Sequence, residues 1–393
     1  MNRVFTNIIL VLSLLIVIGT IVPLLNNVTI SNDENYISSI NISSTLNDSG
    51  IKKDDGNKWK VGYLESESFI IFTETLVAII RGFQELGWIE DSPQLNTILK
   101  HDDSRIIWNW LSSNDVSPYL EFDSSSFYNL KETDSTHIIQ KYNAHNDLDF
   151  IIVMGTAAGN LLSNNLKNTN IFVFAASNAV SSGIIDSVED SGKDNVWAHM
   201  DEYRFNRQIS AFYDMFKFKK LGVVYEDSDI ARIYSAINEL ESLSKEKNFT
   251  IIKQHVTEPL TSEEFLAYYE NLKTAYEYLS QNVDAMYITI ASIDSQRLPE
   301  LLKPFYEKNI PVLSQLGSSE VENGALITVS VMDTINVGRF GAHTIVKSLQ
   351  GVNLRDLDQS YQSTPKITLN SHVAKKINYK LPFELVIVID EVY

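Results

Sequence analysis

The residues that most often carry catalysis or bind metals are spread along this chain without a useful spacing. Its seven histidines, at 101, 137, 145, 199, 255, 343 and 372, never stand three or four residues apart, so no helix would present two of them to one metal ion. The chain has no cysteine, which excludes thiolate metal sites, iron–sulfur clusters and cysteine nucleophiles. Acidic neighbours such as Asp102 and Asp103 are expected in a chain with 50 acids and indicate solvated faces. We therefore predict no metal site.

Short catalytic and nucleotide-binding motifs are missing as well. The sequence contains no G-x-S-x-G, no G-x-x-x-x-G-K-[ST], no G-x-G-x-x-G and no H-E-x-x-H. The run from Gly155 to Gly159 resembles a phosphate loop but lacks its lysine, and is more typical of a helix N-terminus. We predict no catalytic residue and no cofactor, and we expect that the protein is not an enzyme.

Hydroxyl, amide and carboxylate side chains instead follow the predicted strands. In open α/β sheets, ligands bind beyond the carboxyl ends of the strands. A small zwitterion needs N–H and O–H donors for its carboxylate and an acidic oxygen for its ammonium group. The same residue types also serve as ordinary helix N-caps, and this alternative stays open for each single residue. The polar strand ends lie at 65–69, 155–158, 176–178, 226–228, 291–292 and 315.

Alternation of short apolar runs with helical patterns predicts the elements that position these residues. The strands are predicted at 60–64, 150–154, 171–175, 221–225, 250–255, 285–290, 311–314 and 326–331. Apolar side chains at a period of 3.6 residues predict helices over 73–86, 228–243 and 336–349. Strands that alternate with helices of this length indicate βαβ units and parallel sheets, so the predicted fold class is α/β.

About 335 folded residues exceed one typical sheet, and two lobes are therefore expected. The polar stretch 181–203 interrupts the periodicity and marks the break between them. We predict that lobe 1 comprises 59–180 with about 318–352, and lobe 2 comprises 181–317 with about 353–393. The strand ends of both lobes would face a central cleft.

The N-terminus and the net charge bear on where the protein acts. The run Ile8–Leu25 holds 18 residues without a charge, so residues 1–25 are predicted to be a signal peptide or a membrane anchor. Residues 26–58, rich in Asn, Ser, Asp and Gly, are predicted to be a flexible linker. With 32 basic and 50 acidic residues the net charge is −18, which argues against nucleic acid as a partner. We predict export to the periplasm or to the outer face of the cytoplasmic membrane.

Three stretches of the sequence resemble the substrate-binding proteins of ABC importers, in the branch for tryptophan or tyrosine uptake. The first ends in Glu85-Leu86-Gly87-Trp88, the second contains the helix start Gly155-Thr156, and the third carries Gly324-Ala325-Leu326, Asp333 and Gly338-Arg339. The resemblance extends from Lys60 to the C-terminus, with the motifs in matching order and spacing.

This resemblance implies a type I periplasmic-binding fold, with two Rossmann-like lobes that close on a small-molecule ligand. An aromatic or another amino acid is the candidate ligand class, and an ABC permease in the membrane is the implied partner. By position, it implies that the ligand-binding residues are Glu65, Ser66, Thr156, Ala157, Ser177, Asn178, Glu226, Asp227, Ala291 and Ser292. Asp333 would either cap the returning helix or face the cleft.

Several features depart from the family pattern. Asn178-Ala179 replaces the usual Asp-Pro, and Glu226-Asp227 replaces an Asn-Pro turn. The segment 102–146 is longer than the family usually needs, and its Trp108 and Trp110 would either shield the cleft or pack in the core. No lipobox is present, so attachment to the membrane would use the apolar segment. A membrane-tethered ligand sensor for a separate signalling protein is the alternative function, and an unrecognised α/β enzyme is a third.

Overall fold

A computed structural model describes residues 50–144, 147–259, 261–289, 293–330 and 333–393 of this chain. The predicted apolar segment 1–25, the predicted linker as far as residue 49, and the predicted site residues Ala291 and Ser292 lie outside the described residues.

Two separate β-sheets organise the described chain. The first contains β1 (Trp59–Glu65), β2 (Leu120–Asn129), β3 (Phe150–Met154), β4 (Asn170–Phe174) and β5 (Val196–Ala198), all parallel, in the order β2-β1-β3-β4-β5. The second contains β6 (Lys220–Tyr225), β7 (Thr250–His255), β8 (Ala285–Ile288), β9 (Val312–Ser314), β10 (Ile327–Ser330), β11 (Lys366–Leu369) and β12 (Glu391–Val392). Its order is β12-β11-β10-β9-β8-β6-β7, and only the β10–β11 pair is antiparallel.

Helices cover both sheets. Those that alternate along the chain with the strands of the first sheet are α1 (Ile70–Glu85), α2 (Pro93–Ile98), α3 (Ser104–Ser113), α4 (Ser135–Ala144) and α5 (Thr156–Asn165). They are followed by α6 (Arg204–Phe216), α7 (Asp229–Tyr234), α8 (Ile237–Lys247), α9 (Phe265–Ser280), α10 (Leu298–Leu301), α11 (Lys303–Tyr306), α12 (Ser318–Glu322), α13 (Thr334–Leu349), α14 (Ser371–Lys376) and α15 (Phe383–Val386). The predicted α/β class, with mainly parallel sheets in two lobes, is confirmed.

Each lobe has its own hydrophobic core. β3 is buried at all five positions, as expected for a central parallel strand covered on both faces. Trp108 is fully buried against Tyr63 and Phe122, so it packs in the core of the first lobe and does not shield a cleft. The second sheet packs with α6 and α9 around a separate core that includes Phe212 and Tyr276.

The chain passes between the lobes in three crossing segments, after β5, after β10 and before β11. Helix α13 returns to the first lobe, where Val337 and Ile345 share its core. Because β5 belongs to the first sheet and β10 to the second, we propose that the lobe boundaries lie near residues 200 and 331, and not at 180 and 317.

The predicted helix 228–243 is two helices in the structure, and this is a correction. Ser235 and Ala236 separate α7 from α8, with Ala236 in the left-handed region at φ 54°. Apolar residues continue the helical period across the break, so the sequence pattern does not reveal it.

Candidate functional site

Ser66 joins the ends of two strands of the first lobe. Its hydroxyl lies 3.0 Å from the backbone N of Ala158 in the first turn of α5, and 3.2 Å from the carbonyl oxygen of Met154, to which it donates. Gly155 permits this approach, since it has φ +90° and an added Cβ would lie 2.6 Å from the Ser66 hydroxyl. One of the free N–H groups of this helix start is therefore already satisfied by Ser66.

The neighbouring strand ends are connected in a similar way. The Thr156 hydroxyl accepts a hydrogen bond from the backbone N–H of Ser177 at 3.0 Å. Asn178 caps the turn that follows, because its side-chain oxygen accepts from the N–H of Ser181 at 2.9 Å. Ala157 is exposed on the first turn of α5. The structure thus brings Ser66, Thr156 and Ser177 together at the carboxyl ends of β1, β3 and β4.

Glu65 is turned into its own lobe. It is 1% exposed, and its carboxylate accepts hydrogen bonds from the Tyr63 hydroxyl at 3.0 Å, the Ser104 hydroxyl at 2.6 Å and the Asn129 amide at 2.8 Å. Burial raises the pKa of this carboxyl group, although these hydrogen bonds oppose the rise. Both carboxylate oxygens are occupied within the lobe, and two of their donors come from the segment 102–146.

In the second lobe, Glu226 and Asp227 follow β6. The Glu226 carboxylate accepts from the backbone N–H of Glu258 at 3.4 Å and lies 3.4 Å from the Ser228 hydroxyl. Asp227 is exposed, and Ser228 caps α7 by accepting from the N–H of Ala231 at 3.2 Å. The loop after β6 and the loop after β7 therefore meet at Glu226 and Glu258.

The charge of one of these second-lobe acids reaches Glu67 of the first lobe. Burial first, and then the charge of Glu258, raise the pKa of the Glu67 carboxyl group, while Lys131 lowers it. We call Glu67, Glu226 and Glu258 the acidic cluster.

Two tyrosines of the second lobe interact with this cluster, one through charge and one through a hydrogen bond. Burial and the charges of all three acids raise the pKa of Tyr234. The Tyr268 hydroxyl donates to Glu258 at 3.1 Å. Glu67 and Glu258 are not among the predicted ligand-binding residues. Each follows a predicted strand by three residues, and Glu67 lies within the polar strand end 65–69, so position after a strand is a usable signal.

Arg204 connects the second lobe to the first at the crossing segments. It begins α6 and donates hydrogen bonds to the carbonyl oxygens of Ala176 at 3.0 Å and Ser177 at 2.7 Å, just beyond β4. The residue is 6% exposed, and its Nε has no hydrogen-bond partner. Sequence analysis missed Arg204, because it follows no predicted strand.

The crossing segments are joined to one another by hydrogen bonds. The backbone N–H of Met200 donates to Gln359 at 2.7 Å, and the N–H of Tyr361 donates to Met200 at 3.0 Å. Asp333 caps α13 by accepting from the N–H of Asn336 at 3.1 Å, which is one of its two predicted roles.

Most of the folded chain matches a known protein family. Residues 119–392 match the family described as ABC transporter substrate binding protein. The chain belongs to this family. Among curated relatives it is similar to a tyrosine-binding protein of Clostridioides difficile (strain R20291), with 22% identity over 58% of this chain and 63% of that protein. The alignment therefore spans less than two thirds of that relative's length.

Two solved structures share the fold of this substrate-binding protein. One is an ABC domain in complex with L-Trp from Streptococcus pneumonia, at 18% identity and a TM-score of 0.63, covering 86% of this chain and 100% of that one. The other is a ligand-free, open substrate-binding protein with adhesive properties from Clostridium difficile, at 19% identity and a TM-score of 0.60, covering 85% and 99%. Both have the two-lobed type I periplasmic-binding architecture that the sequence predicted.

Two further observations concern the described part of this family member. Its helices include none that combines the length and the apolar character needed to cross a membrane. Within the same residues, no three or more histidine or acidic side chains are arranged to hold a metal ion.

Proposed function

We propose that this chain is the extracytoplasmic solute-binding protein of an ABC importer, and that its two lobes close on a small amino-acid ligand. One observation carries the proposal: the charge of Glu258 in the second lobe raises the pKa of Glu67 in the first, so carboxylates of both lobes lie within electrostatic reach of one another. Glu67 follows the first strand of one sheet, while Glu226 and Glu258 follow two adjacent strands of the other. Strand ends of this kind are the usual ligand position in α/β folds.

Electrostatics favours a positively charged group between these acids. Carboxylates that approach one another raise each other's pKa, and Glu258 does so to Glu67. An ammonium group placed among them would reverse this effect, because its positive charge favours the ionised carboxylates. It would also donate hydrogen bonds to several of their oxygens. The charged ligand would thus stabilise the arrangement in which the lobes are close, and its differential affinity would drive closure.

Tyr268, which donates to Glu258, packs in an aromatic group of α9 whose exposed member is Phe265, and this group favours a ligand with an apolar or aromatic body. Tyr268 packs edge-on against Tyr269 at 5.6 Å between ring centroids, and Phe265 lies 6.3 Å from Tyr269. Aromatic rings prefer such tilted neighbours, and they also attract cations. The related proteins described as tyrosine-binding and as an L-Trp complex support an aromatic amino acid as the ligand class.

We propose that Ser66, Thr156, Ser177 and Asn178 border the ligand on the first lobe, with Glu226 and Asp227 opposite. Glu65 would shape this border from within the lobe. The protein would act by binding without a catalytic step of its own, and it would deliver the ligand to a membrane permease after export. The predicted residues Ala291 and Ser292, beyond β8, stay part of the proposed site.

Titration calorimetry with L-tyrosine and L-tryptophan tests the function. We expect binding by the wild-type chain, and a loss of about tenfold or more in Glu258→Gln, since a charged hydrogen bond contributes about 1.5–3 kcal/mol. Glu270→Gln, an exposed change on α9, is the matched control and should bind as wild type. If folded wild-type protein binds neither amino acid, the proposed ligand class is wrong.

A further inference from the structure

Arg204 is a buried cation that lacks an anionic partner in the described part of the chain. Its hydrogen bonds go to two backbone carbonyl oxygens, and its guanidinium carbon lies 4.5 Å from the centroid of the Phe205 ring. Burial lowers the pKa of this guanidinium, which still remains charged at neutral pH. A buried charge without a counter-ion is costly, so such a group is usually completed by a partner.

The nearby charged groups are already committed elsewhere. Asp201 pairs with Arg207 at 2.5 Å and also accepts from the backbone N–H of Ser363 at 3.2 Å. Asp333 sits at the N-terminus of α13, where the helix dipole and the N–H and amide of Asn336 stabilise its carboxylate. His199 is neutral at physiological pH, because burial lowers its pKa to about 4. The charges of Asp201 and Glu239 act on Arg204 from a distance and raise its pKa, but neither acid forms an ion pair with it in the described residues, and its Nε stays without a hydrogen-bond partner.

A small cavity adjoins Arg204 at the crossing segments. Its volume is about 10 Å³, which is the space for one water-sized atom. Its lining comes from both lobes and the crossing segments: Thr75, Ala175, His199, Arg204, Asp333, Thr334, Val337 and Ser363. The unpartnered Nε thus belongs to a side chain that borders space for a single oxygen atom.

Helix α6 holds Arg204 in a fixed position. One turn further along, the Gln208 amide donates to the carbonyl oxygens of Gln315 at 3.0 Å and Val329 at 2.8 Å, and accepts from the Tyr287 hydroxyl at 2.6 Å. These three contacts tie α6 to β8, to the end of β9 and to β10. Because Arg204 is positioned in advance, little conformational entropy is lost when it binds a partner.

We infer that Arg204 is the anion-binding group of the ligand site, where it takes one oxygen of the ligand's carboxylate into the cavity beside it. This inference rests on the proposed function. It adds a binding residue for the ligand's carboxylate to the acids proposed for its ammonium group. The ligand then carries an ammonium group that faces the acidic cluster and a carboxylate at the crossing segments. Because both groups of an α-amino acid are bonded to one carbon, the inference requires these two places to be adjacent in the closed, ligand-bound state. Its body lies outside the cavity, which has no space for more than the oxygen.

Comparison of L-tyrosine with tyramine, which lacks only the carboxylate, tests the inference by calorimetry. We expect the wild-type chain to bind L-tyrosine at least about 100-fold more tightly than tyramine. In Arg204→Gln this preference should fall below about tenfold, mainly through weaker binding of L-tyrosine. Arg204→Lys should keep part of the preference, since it keeps the charge but loses the planar donor pair.

Arg207→Gln is the matched control on the same helix. It disturbs the crossing segments through Asp201, so it should weaken both compounds equally and leave their ratio unchanged. If Arg204→Gln keeps the wild-type ratio, Arg204 has a structural role only and its cavity holds water. If wild-type protein binds L-tyrosine and tyramine equally well, the inference is wrong while the proposed function stands. This outcome is measured on the wild-type chain alone, so it does not depend on the folding of a variant. Binding of neither compound would overturn both.

Discussion

Glu67 carries a carboxyl group whose proton affinity depends on the opposite lobe. Its pKa is raised by burial and by Glu258, so in the ligand-free protein it takes up a proton at a higher pH than an ordinary glutamate does. The native state then binds more protons than the unfolded state, and the contribution of Glu67 to the free energy of unfolding increases as pH falls. A bound ammonium group favours the charged form, so ligand affinity should decrease over the same pH range.

We predict that the free energy of unfolding and the ligand affinity change in opposite directions with pH. Glu67→Gln should remove the contribution of Glu67 to both. Ligand affinity of the variant should be about tenfold lower at pH 7 and flatter with pH. Its ligand-free stability at pH 7 should rise by no more than about 0.5 kcal/mol, because the exposed part of the side chain is screened by water. Calorimetry and thermal unfolding from pH 5 to 8 measure both.

Glu90→Gln, an exposed carboxylate of the same lobe, serves as the control for this series. Its pH profiles should match those of the wild-type chain. Affinity that is constant with pH in the wild type would contradict a role of Glu67 in binding a cation.

At the scale of elements, α1 and α13 approach each other closely in the first lobe. A Cβ added at Gly338 would lie 2.3 Å from the Cβ of Ala78 and 2.7 Å from the backbone of Ala78 and Ile79. Arg339 adds an ion pair to Glu85 at 2.7 Å. The Gly338-Arg339 pair therefore sets how the returning helix docks, which gives a physical reason for its presence in the family motif.

Gly338→Ala should destabilise the protein by about 1–2 kcal/mol. The gain in helix propensity, up to about 1 kcal/mol, is smaller than the cost of moving two backbones apart, which for overpacking is about 1–3 kcal/mol. The Tm should fall by about 3–6 °C in calorimetry. Gly317→Ala has no atom within 4 Å of the added Cβ and should leave the Tm within about 1 °C. A wild-type Tm for Gly338→Ala would show that α1 and α13 can separate without cost.

The elements differ in how well the sequence predicts them. A strand that is buried along its whole length has a clear apolar pattern, whereas a short or irregularly buried strand does not. β3 is predicted at both ends because all its residues are apolar. β2 was not predicted, since its burial alternates irregularly and its pairing with β1 shifts between Val61 and Tyr63. β5 was missed because it has only three residues and follows a polar stretch.

The same limit applies to the candidate site. Polar residue types at strand ends predicted the positions of Ser66, Thr156 and Ser177, which the structure brings together through hydrogen bonds. The sequence could not show that Glu65 faces inward, because its donors Ser104 and Asn129 lie 39 and 64 residues away. Arg204 reaches the carbonyl oxygen of Ser177 across 27 residues, a contact that depends on how the chain crosses between lobes.

At the scale of the whole molecule, the connections between the lobes and the sheet order determine where motion would be greatest. The crossing segments lie beside β5, β10 and β11, whereas β2 and β7 are the sheet edges on the far side of each lobe. If the lobes rotate about the crossing segments, the loops after β2 and β7 should move further than loops nearer to those segments. Ser135 follows β2 and Ser262 follows β7, and both side chains are exposed.

We therefore predict that a distance between residues 135 and 262 decreases when ligand binds. The chain has no cysteine, so Ser135→Cys with Ser262→Cys introduces the only two thiols for spin labels. Pulsed electron-spin resonance should show the distance shortening by more than about 2 Å with saturating L-tyrosine, the scale of domain rearrangements on binding. The doubly labelled chain that also carries Glu258→Gln binds the ligand less tightly. At a ligand concentration that shortens the distance in the doubly labelled chain without this substitution, it should therefore keep the ligand-free distance. An unchanged distance in the parent, with L-tyrosine shown to be bound by calorimetry, would mean that recognition occurs without closure, and a permease would then have to recognise the bound ligand or a local loop instead of the closed lobes.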